Sequence, residues 1–320
     1  MTTAGNVPAI LVEGLSKKFG SFRAVDNLSF EVREGEIFGF LGANGAGKST
    51  TIRMLVGLLE PSGGRATVGG FDIMKQTRLL KAGIGYMSQK FSLYDDLTVE
   101  QNIRFFGGVY RLPEDVIRTR LGWVTEMAGL RGKENALTGT LSGGWKQRLA
   151  LGCAILHKPR IVFLDEPTSG VDPVSRRKFW KLIGDLSEEK TTVLVTTHYL
   201  DEAEYCHRLL MIHAGKAVAA GSPEELKART IRAPILEVSC DRTVEAFENL
   251  RSRPFVLDAS LFGTTIHAMV KEEREGTRMI RESLAAGGIA VGRIESVRPS
   301  LEDVFLHVLH DVSASAGVKS

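Results

Sequence analysis

Eight residues beginning at Gly42 fit a pattern that binds nucleotide phosphates. The string follows G-x-x-x-x-G-K-[ST], in which glycines leave successive backbone N–H groups free to curl round phosphate oxygens. Lys48 would place a positive charge on the terminal phosphates, which makes it a catalytic candidate, and Ser49 would offer a hydroxyl to Mg²⁺. The loop therefore predicts a nucleoside triphosphate site formed by Asn44, Gly45, Ala46, Gly47, Lys48, Ser49 and Thr50.

Two adjacent carboxylates, Asp165 and Glu166, follow the short apolar run Ile161–Leu164. A buried strand that ends in this way delivers a carboxylate to the edge of a sheet, where Asp165 can hold Mg²⁺ directly or through water. Glu166 would point in another direction and could orient and deprotonate an attacking water molecule. The same pair inside an ordinary helix would be a solvated face, but here it closes a strand just before Pro167.

The tetrad Leu141-Ser142-Gly143-Gly144 is a further candidate for phosphate binding. We predict that Ser142, Gly143 and Gly144 open a helix that continues to Leu156. A helix N-terminus with free N–H groups and a small hydroxyl is an anion site.

Short apolar runs alternate with helical patterns along most of the chain, which predicts a parallel sheet covered by helices. Residues 9–32 read as β structure, 66–73 as a hairpin that turns at Gly69-Gly70, and 98–138 as a helical insertion. The buried strands are predicted at Ile37–Leu41, Ile84–Gln89, Ile161–Leu164 and Val193–Thr196.

A second domain is predicted after a boundary near residues 229–234. Residues 234–310 follow the order β-α-β-β-α-β, which indicates a small α+β, ferredoxin-like accessory domain. Its closing helix is predicted to start after Ser300 as the N-cap residue. The tail 311–320, rich in Ser, Ala and Gly, is predicted to be disordered.

The composition excludes several classes of protein. A formal net charge of +3 gives no electrostatic case for a nucleic-acid partner. No run approaches the roughly eighteen apolar residues of a membrane span, so we do not expect this chain to cross a bilayer by itself. Three widely spaced cysteines show no disulfide or metal pattern and fit a reducing cytosol.

The phosphate loop, the tetrad and the Asp165-Glu166 pair, in this sequence context, resemble the nucleotide-binding subunits of ABC transporters. The resemblance covers residues 9–230 and implies a P-loop NTPase of the ABC ATPase fold: an α/β domain with a parallel-sheet core, an antiparallel β subdomain and a helical subdomain at about 91–145. In that family the tetrad of one copy closes over ATP held by the phosphate loop of another. The resemblance thus implies ATP and Mg²⁺ as ligands, and a self-dimer or a dimer with a related ATPase subunit.

The resemblance also implies roles for single residues. Glu166 matches the general base, and His198 matches the switch histidine that contacts the γ-phosphate and orders the water. Gln89 matches the glutamine that bridges Mg²⁺ and the membrane half of the transporter. Phe19 lies where the family has an aromatic ring that stacks on adenine, although a core Phe is the plain alternative. Asp172 belongs to the loop where the two subunits touch.

One residue departs from the family pattern, because Trp145 stands where many members have Gln. The backbone contacts of the tetrad survive this change, whereas a side-chain contact from that position to ribose or phosphate does not.

The segment Pro299–Phe305 resembles the ending of ATPase subunits of ABC-2 type exporters. This implies a cytoplasmic subunit, peripheral on the inner face of the cell membrane, that powers export of a drug, lipid or polysaccharide-like substrate through a separate integral-membrane permease. Import rather than export, and a non-catalytic regulatory module, stay open as lesser alternatives. The other alternative is a soluble ABC ATPase of translation or DNA repair, but the chain has one cassette and no sustained heptads.

Overall fold

The structure, a computed structural model, describes residues 7–89 and 93–317 of the chain. The chain forms two compact units, Met1–Ala220 and Gly221–Ser320. Within the described residues, none of the helices combines the length and the apolar character needed to cross a lipid bilayer.

The elements of the first unit follow one another in chain order as β1 (Ile10–Phe19), β2 (Phe22–Val32), β3 (Ile37–Leu41), α1 (Lys48–Leu55), β4 (Gly63–Val68), β5 (Phe71–Asp72), α2 (Thr77–Gly83), β6 (Ile84–Met87), α3 (Val99–Val109), α4 (Glu114–Met127), α5 (Gly143–Ala154), β7 (Ile161–Asp165), α6 (Pro173–Glu188), β8 (Thr192–Thr197), α7 (Leu200–Ala203), β9 (Arg208–His213) and β10 (Lys216–Gly221).

The central sheet has the strand order β10-β9-β3-β8-β7-β6. Strands β3, β7 and β8 are buried at every residue, as expected for strands covered on both faces. Strand β8 pairs in parallel with β3 and β7, and β6 pairs in parallel with β7. Because parallel strands end at the same edge, the segments after β3, β6, β7 and β8 meet there. This edge is where the predicted site must lie.

A second, antiparallel sheet has the order β2-β1-β4-β5 and contains the predicted hairpin. Val68 pairs with Phe71 across the turn at Gly69-Gly70. One hydrophobic core joins this sheet to β3 and α1, with Leu28 and Phe40 among its fully buried residues. Since β3 and α1 flank the phosphate loop, this core holds both ends of the loop in place.

The predicted helical insertion is confirmed as α3 and α4, which pack with α5 around Val99, Ile103 and Leu149. Thr98 starts α3 with a capping box, in which its side chain accepts from the Gln101 N–H at 3.2 Å and Gln101 Oε1 accepts from the Thr98 N–H. Residues 90–92, which include the predicted start of this subdomain, lie outside the described residues.

His157 is half-buried in the first unit. Its ring stacks on Tyr110 with centroids 3.8 Å apart, and its Nε2 lies 3.1 Å from the Ile84 carbonyl oxygen. Burial lowers the pKa of His157 to about 4, and the charge of Arg120 acts in the same direction. The hydrogen bond to Ile84 opposes this shift without cancelling it. The imidazole is therefore held neutral.

This neutral histidine predicts an acid-dependent loss of stability. Its folded pKa of about 4 lies below the ordinary value of 6.5, so the unfolded chain binds the extra proton between these values. The stabilisation is present above 6.5 and is lost as the pH falls towards about 4. In urea denaturation, His157→Gln should lose less stability than the wild type when the pH drops from about 7.5 to about 5. Equal losses in both proteins would contradict the assignment.

The second unit begins earlier than the predicted boundary at 229–234. Its elements are α8 (Pro223–Thr230), β11 (Ile235–Cys240), α9 (Thr243–Arg251), β12 (Val256–Phe262), β13 (Thr265–Val270), α10 (Glu273–Ala286), β14 (Val291–Val297) and α11 (Leu301–Gly317). Helix α8 starts with a capping box between Ser222 and Glu225 and packs against α11. This packing ties residues 221–230 to the second unit rather than to the first.

The sheet of the second unit has the order β12-β13-β11-β14, and its described pairs are antiparallel. This order, with α9 and α10 packed against the strands, confirms the ferredoxin-like domain. Helix α11 extends to Gly317, so the predicted disordered tail is corrected for residues 311–317. Alanines in this stretch favour helix and no proline interrupts it. Residues 318–320 lie outside the described part of the chain.

Candidate active site

The phosphate loop connects β3 to α1 at the carboxyl edge of the central sheet. Gly47, the N-cap residue of α1, has φ 107°, a conformation that favours glycine. A Cβ atom at this position would lie 2.5 Å from the Ala24 carbonyl oxygen, so a larger residue would displace the backbone. The glycine lets the chain enter α1 with its first N–H groups unblocked, which suits a phosphate ligand.

The ammonium of Lys48 is buried, with 3% of the residue exposed. It donates hydrogen bonds to the carbonyl oxygens of Gly42 at 2.8 Å and Ala43 at 3.2 Å. It also lies 3.3 Å from Glu166 Oε1. The ammonium of Lys48 is thus held by backbone carbonyls at the start of the phosphate loop and forms an ion pair with Glu166, the predicted base.

Asp165 ends β7 and is 1% exposed. Its Oδ1 accepts a hydrogen bond from Ser49 Oγ at 2.8 Å, so the two predicted magnesium ligands are in contact. A carboxylate and a hydroxyl are oxygen ligands of the kind that Mg²⁺ takes. Among the described residues, no group of three or more His, Cys, Asp or Glu is arranged to hold a metal by itself. This donor set fits an ion whose other ligands come from phosphates and water.

Glu166 contacts two further residues that were predicted from the sequence, Gln89 and His198. It is 7% exposed, and its φ of 47° is unusual for a residue other than glycine. Gln89 Nε2 donates to its Oε2 at 3.1 Å, and His198 Nδ1 lies 3.3 Å from the same oxygen. Strained backbone of this kind persists where the surrounding structure holds it, commonly at functional sites.

The tetrad lies on a different element. Ser142 is the N-cap residue of α5 with an exposed side chain, and this side chain makes no capping hydrogen bond within the described residues. Gly143 is also exposed, whereas a Cβ on Gly144 would lie 2.5 Å from Ser175 Oγ of α6. Among the described residues, no hydrogen bond or ion pair joins the tetrad to Asp165 or Glu166. The first turn of α5 is therefore presented outward.

Asp172 caps α6, the helix against which Gly144 packs. Its carboxylate accepts from the backbone N–H groups of Val174 at 3.0 Å and Ser175 at 2.9 Å. The hydrogen bond from Ser175 is the main cause that lowers the pKa of Asp172. In this structure the residue stabilises a helix start, and its role at a subunit contact stays a prediction.

Phe19, at the end of β1, is 49% exposed, and Lys17 Nζ lies 5.2 Å from its ring centroid. This exposure removes the alternative of a core Phe and leaves a face free for stacking. Trp145, the residue that departs from the family pattern, packs against the core of the helical subdomain. Lys133 Nζ lies 4.7 Å from its ring centroid.

The sequence analysis missed two buried polar side chains near Asp165 and Glu166, those of Thr196 and Glu202. Thr196 in β8 donates a hydrogen bond to the Asp165 carboxylate and accepts one from the backbone N–H of Glu166. Glu202 in α7 accepts hydrogen bonds from Thr168 and from Thr197 at 2.6 Å, and Arg176 Nε lies 3.3 Å from its Oε1. This network ties the turn after Glu166 to the segment before His198. The sequence did carry a signal for Thr196, since the apolar strand of Val and Leu ends in two threonines. Polar groups buried in such a strand need hydrogen-bond partners.

Family profiles match both units. The profile of the ABC transporter family matches residues 25–169, and an AAA-domain profile matches the overlapping stretch 141–200. The profile of the C-terminal domain of DrrA1-3-like ATP-binding proteins matches residues 221–309. The second match coincides with the compact unit that begins at Gly221.

The chain is similar to known ATP-binding proteins. It is 51% identical over 216 residues to the probable multidrug ABC transporter ATP-binding protein YbhF of Escherichia coli K12, which covers 68% of this chain and 37% of that protein. It therefore spans just over a third of the length of that relative. It is 37% identical over 301 residues to the Nod factor export ATP-binding protein I of Rhizobium leguminosarum bv. viciae, which covers 94% of both chains.

The chain also resembles solved structures. It superposes with a TM-score of 0.61 and 26% identity on a dimeric, post-hydrolysis structure of the ATP-binding cassette MJ0796 bound to ADP and Pi, which covers 67% of this chain and 98% of that one. The fold, the geometry of the motifs and the similarity to an export ATP-binding protein over 94% of both chains all indicate the same family. The chain belongs to the ABC transporter family, as an ATP-binding subunit.

Proposed function

We propose that this chain powers the export of a substrate across the cytoplasmic membrane through a separate ABC-2 type permease. The observation that carries the proposal is the convergence of Lys48, Asp165, Glu166 and His198 at one edge of the sheet. The similarity to a probable multidrug transporter protein and to a Nod factor export protein supports export as the direction of transport. The expected cargo is a drug, lipid or polysaccharide-like molecule.

ATP would be held mainly by the backbone of residues 44–47, with Lys48 and Thr50 on the phosphates and Phe19 stacked on adenine. Mg²⁺ would be held by Ser49 and Asp165, with Gln89 nearby, and would supply positive charge to the phosphates. Glu166 then accepts a proton from the attacking water, and His198 orders that water and contacts the γ-phosphate.

Two copies, or this chain and a related ATPase subunit, would form the complete site. The exposed first turn of α5, with Ser142 and Gly143, offers unblocked N–H groups to the ATP of the other subunit. Closure would then depend on contacts made only while the γ-phosphate is present, and hydrolysis would reopen the pair. The closure would be passed to the permease at the inner face of the membrane.

The soluble alternative, an ABC ATPase of translation or DNA repair, is not favoured. The second unit matches the C-terminal domain of DrrA1-3-like ATP-binding proteins, and the similarity to the Nod factor export protein runs through both units.

A mixing experiment tests the composite site. We expect Mg²⁺-dependent ATP hydrolysis to rise faster than linearly with protein concentration. At an ATP concentration too low to saturate Lys48→Ala, this variant and Ser142→Arg should each hydrolyse ATP far more slowly than the wild type, but an equal mixture should regain part of the activity. In a mixed pair, one intact loop faces one intact tetrad. No recovery on mixing would argue against the tetrad acting across a dimer.

The export role has its own test. ATP-driven accumulation of fluorescent amphipathic dyes in inside-out membrane vesicles should depend on the wild-type chain and disappear with Glu166→Gln. Equal accumulation with both proteins would argue against transport coupling.

A further inference from the structure

We infer that Thr196 is a positioning residue for ATP hydrolysis, because its hydroxyl joins the carboxylate of Asp165 to the backbone of Glu166. The inference rests on the proposed hydrolytic function. Thr196 lies in β8 directly opposite Asp165 in the register of the parallel pair β7 and β8. It is fully buried, and it does not belong to the phosphate loop or the tetrad.

The hydroxyl of Thr196 makes two hydrogen bonds whose directions are determined. The backbone N–H of Glu166 can only donate, and it donates to Thr196 Oγ1 at 2.9 Å. The single hydroxyl proton is then directed to Asp165 Oδ1, which lies 2.8 Å away. One side chain therefore orients the predicted magnesium ligand and anchors the residue that follows it.

The hydrogen bond from the Glu166 N–H to Thr196 matters because the Glu166 backbone has φ 47°. A residue other than glycine in this region of backbone conformation is strained and persists only where the surrounding structure holds it. The Glu166 N–H is held by Thr196, while the Glu166 carbonyl accepts from the Ser169 N–H at 3.2 Å. Without the Thr196 hydroxyl, the hydrogen bond to the Glu166 N–H is lost. The carboxylate of Glu166 would then sample other positions relative to Lys48 and His198.

Threonine also occurs in strands for its β-branched shape alone, and the same strand offers a control for this reading. Thr192, at the other end of β8, is also fully buried, and its Oγ1 accepts from the Gly35 N–H at 2.9 Å. It thus shares the strand, the burial and the kind of hydrogen bond with Thr196. Within the described part of the chain, no hydrogen bond joins Thr192 to Asp165 or Glu166.

The test compares Thr196→Val, Thr196→Ser and Thr192→Val by ATPase kinetics, fluorescent ATP binding, Mg²⁺ titration and thermal unfolding. Thr196→Val keeps the shape without the hydroxyl and should lower kcat by about 10- to 100-fold, with the Kd for ATP changed little. It should also raise the Mg²⁺ concentration needed for half-maximal rate. Thr196→Ser should recover most of kcat. Thr192→Val should lower Tm while keeping kcat near the wild-type value.

Several outcomes would overturn the inference. A kcat for Thr196→Val within about two-fold of wild type would do so, provided that Glu166→Gln is inactive in the same assay. Parallel losses of kcat and Tm in Thr196→Val and Thr192→Val would reduce Thr196 to a structural role. If Thr196→Val fails to fold, the comparison of Thr196→Ala with Thr196→Ser tests the inference instead. Equal activity of these two variants would show that the hydroxyl does not contribute to hydrolysis. A wild-type chain without ATPase activity would instead remove the proposed function.

Discussion

Replacing Glu166 with Gln is expected to lower kcat for ATP hydrolysis by about 100- to 10,000-fold while ATP binding is retained. The amide has nearly the same size as the carboxylate and can keep its place beside Lys48, Gln89 and His198. It cannot accept a proton from water, so only the chemical step is removed. ATP that binds but is not cleaved should then hold the closed dimer together.

Single-turnover hydrolysis and light scattering after gel filtration measure the two parts of this prediction. The variant should elute as a dimer in Mg²⁺ and ATP and as a smaller species after ATP is removed. Glu36→Gln is the matched control, because Glu36 is also 7% exposed and is paired with Arg208 at 2.5 Å, away from the carboxylate pair. Normal turnover by Glu166→Gln would show that another group is the base.

Replacing Lys48 with Ala is expected to weaken ATP binding by about 10- to 150-fold. Charge-assisted hydrogen bonds of this kind contribute about 1.5–3 kcal/mol each. The substitution also leaves Glu166 without the ammonium that lies 3.3 Å from its Oε1, which adds repulsion towards incoming phosphates. Hydrolysis should fall with affinity at low ATP concentration, and saturating ATP should restore only part of the rate.

Equilibrium titration with a fluorescent ATP analogue measures this effect. Lys81→Ala removes an exposed lysine from the last turn of α2 and should leave the affinity unchanged. Unaltered nucleotide affinity in Lys48→Ala would remove Lys48 from the phosphate site. A melting temperature for each variant separates lost binding from lost folding.

Local sequence signals predicted much of the architecture. Fully apolar runs such as Ile161–Leu164 are typical of strands buried on both faces, and the structure places this run in β7, which is buried at every residue and lies between β8 and β6. The β-α-β-β-α-β order of the second unit was equally readable. The boundary near 229–234 was placed too late because α8 packs on α11, a contact between segments far apart in the chain. The tail was predicted to be disordered from its composition alone. Composition does not show that the helix that begins at Leu301 continues to Gly317.

The sequence by itself predicted which groups act on ATP, because the phosphate loop, the tetrad and Asp165-Glu166 are each recognised from a short local string of residues. Only the tertiary structure decided how these groups meet. Ser49 and Asp165 are 116 residues apart, and Thr196 and Asp165 are 31 apart, yet each pair lies in hydrogen-bond contact. Such contacts follow from the strand order β3-β8-β7-β6 and its register, which hydrophobic periodicity does not specify. The positive φ of Glu166 was hidden for the same reason, since non-local hydrogen bonds hold it.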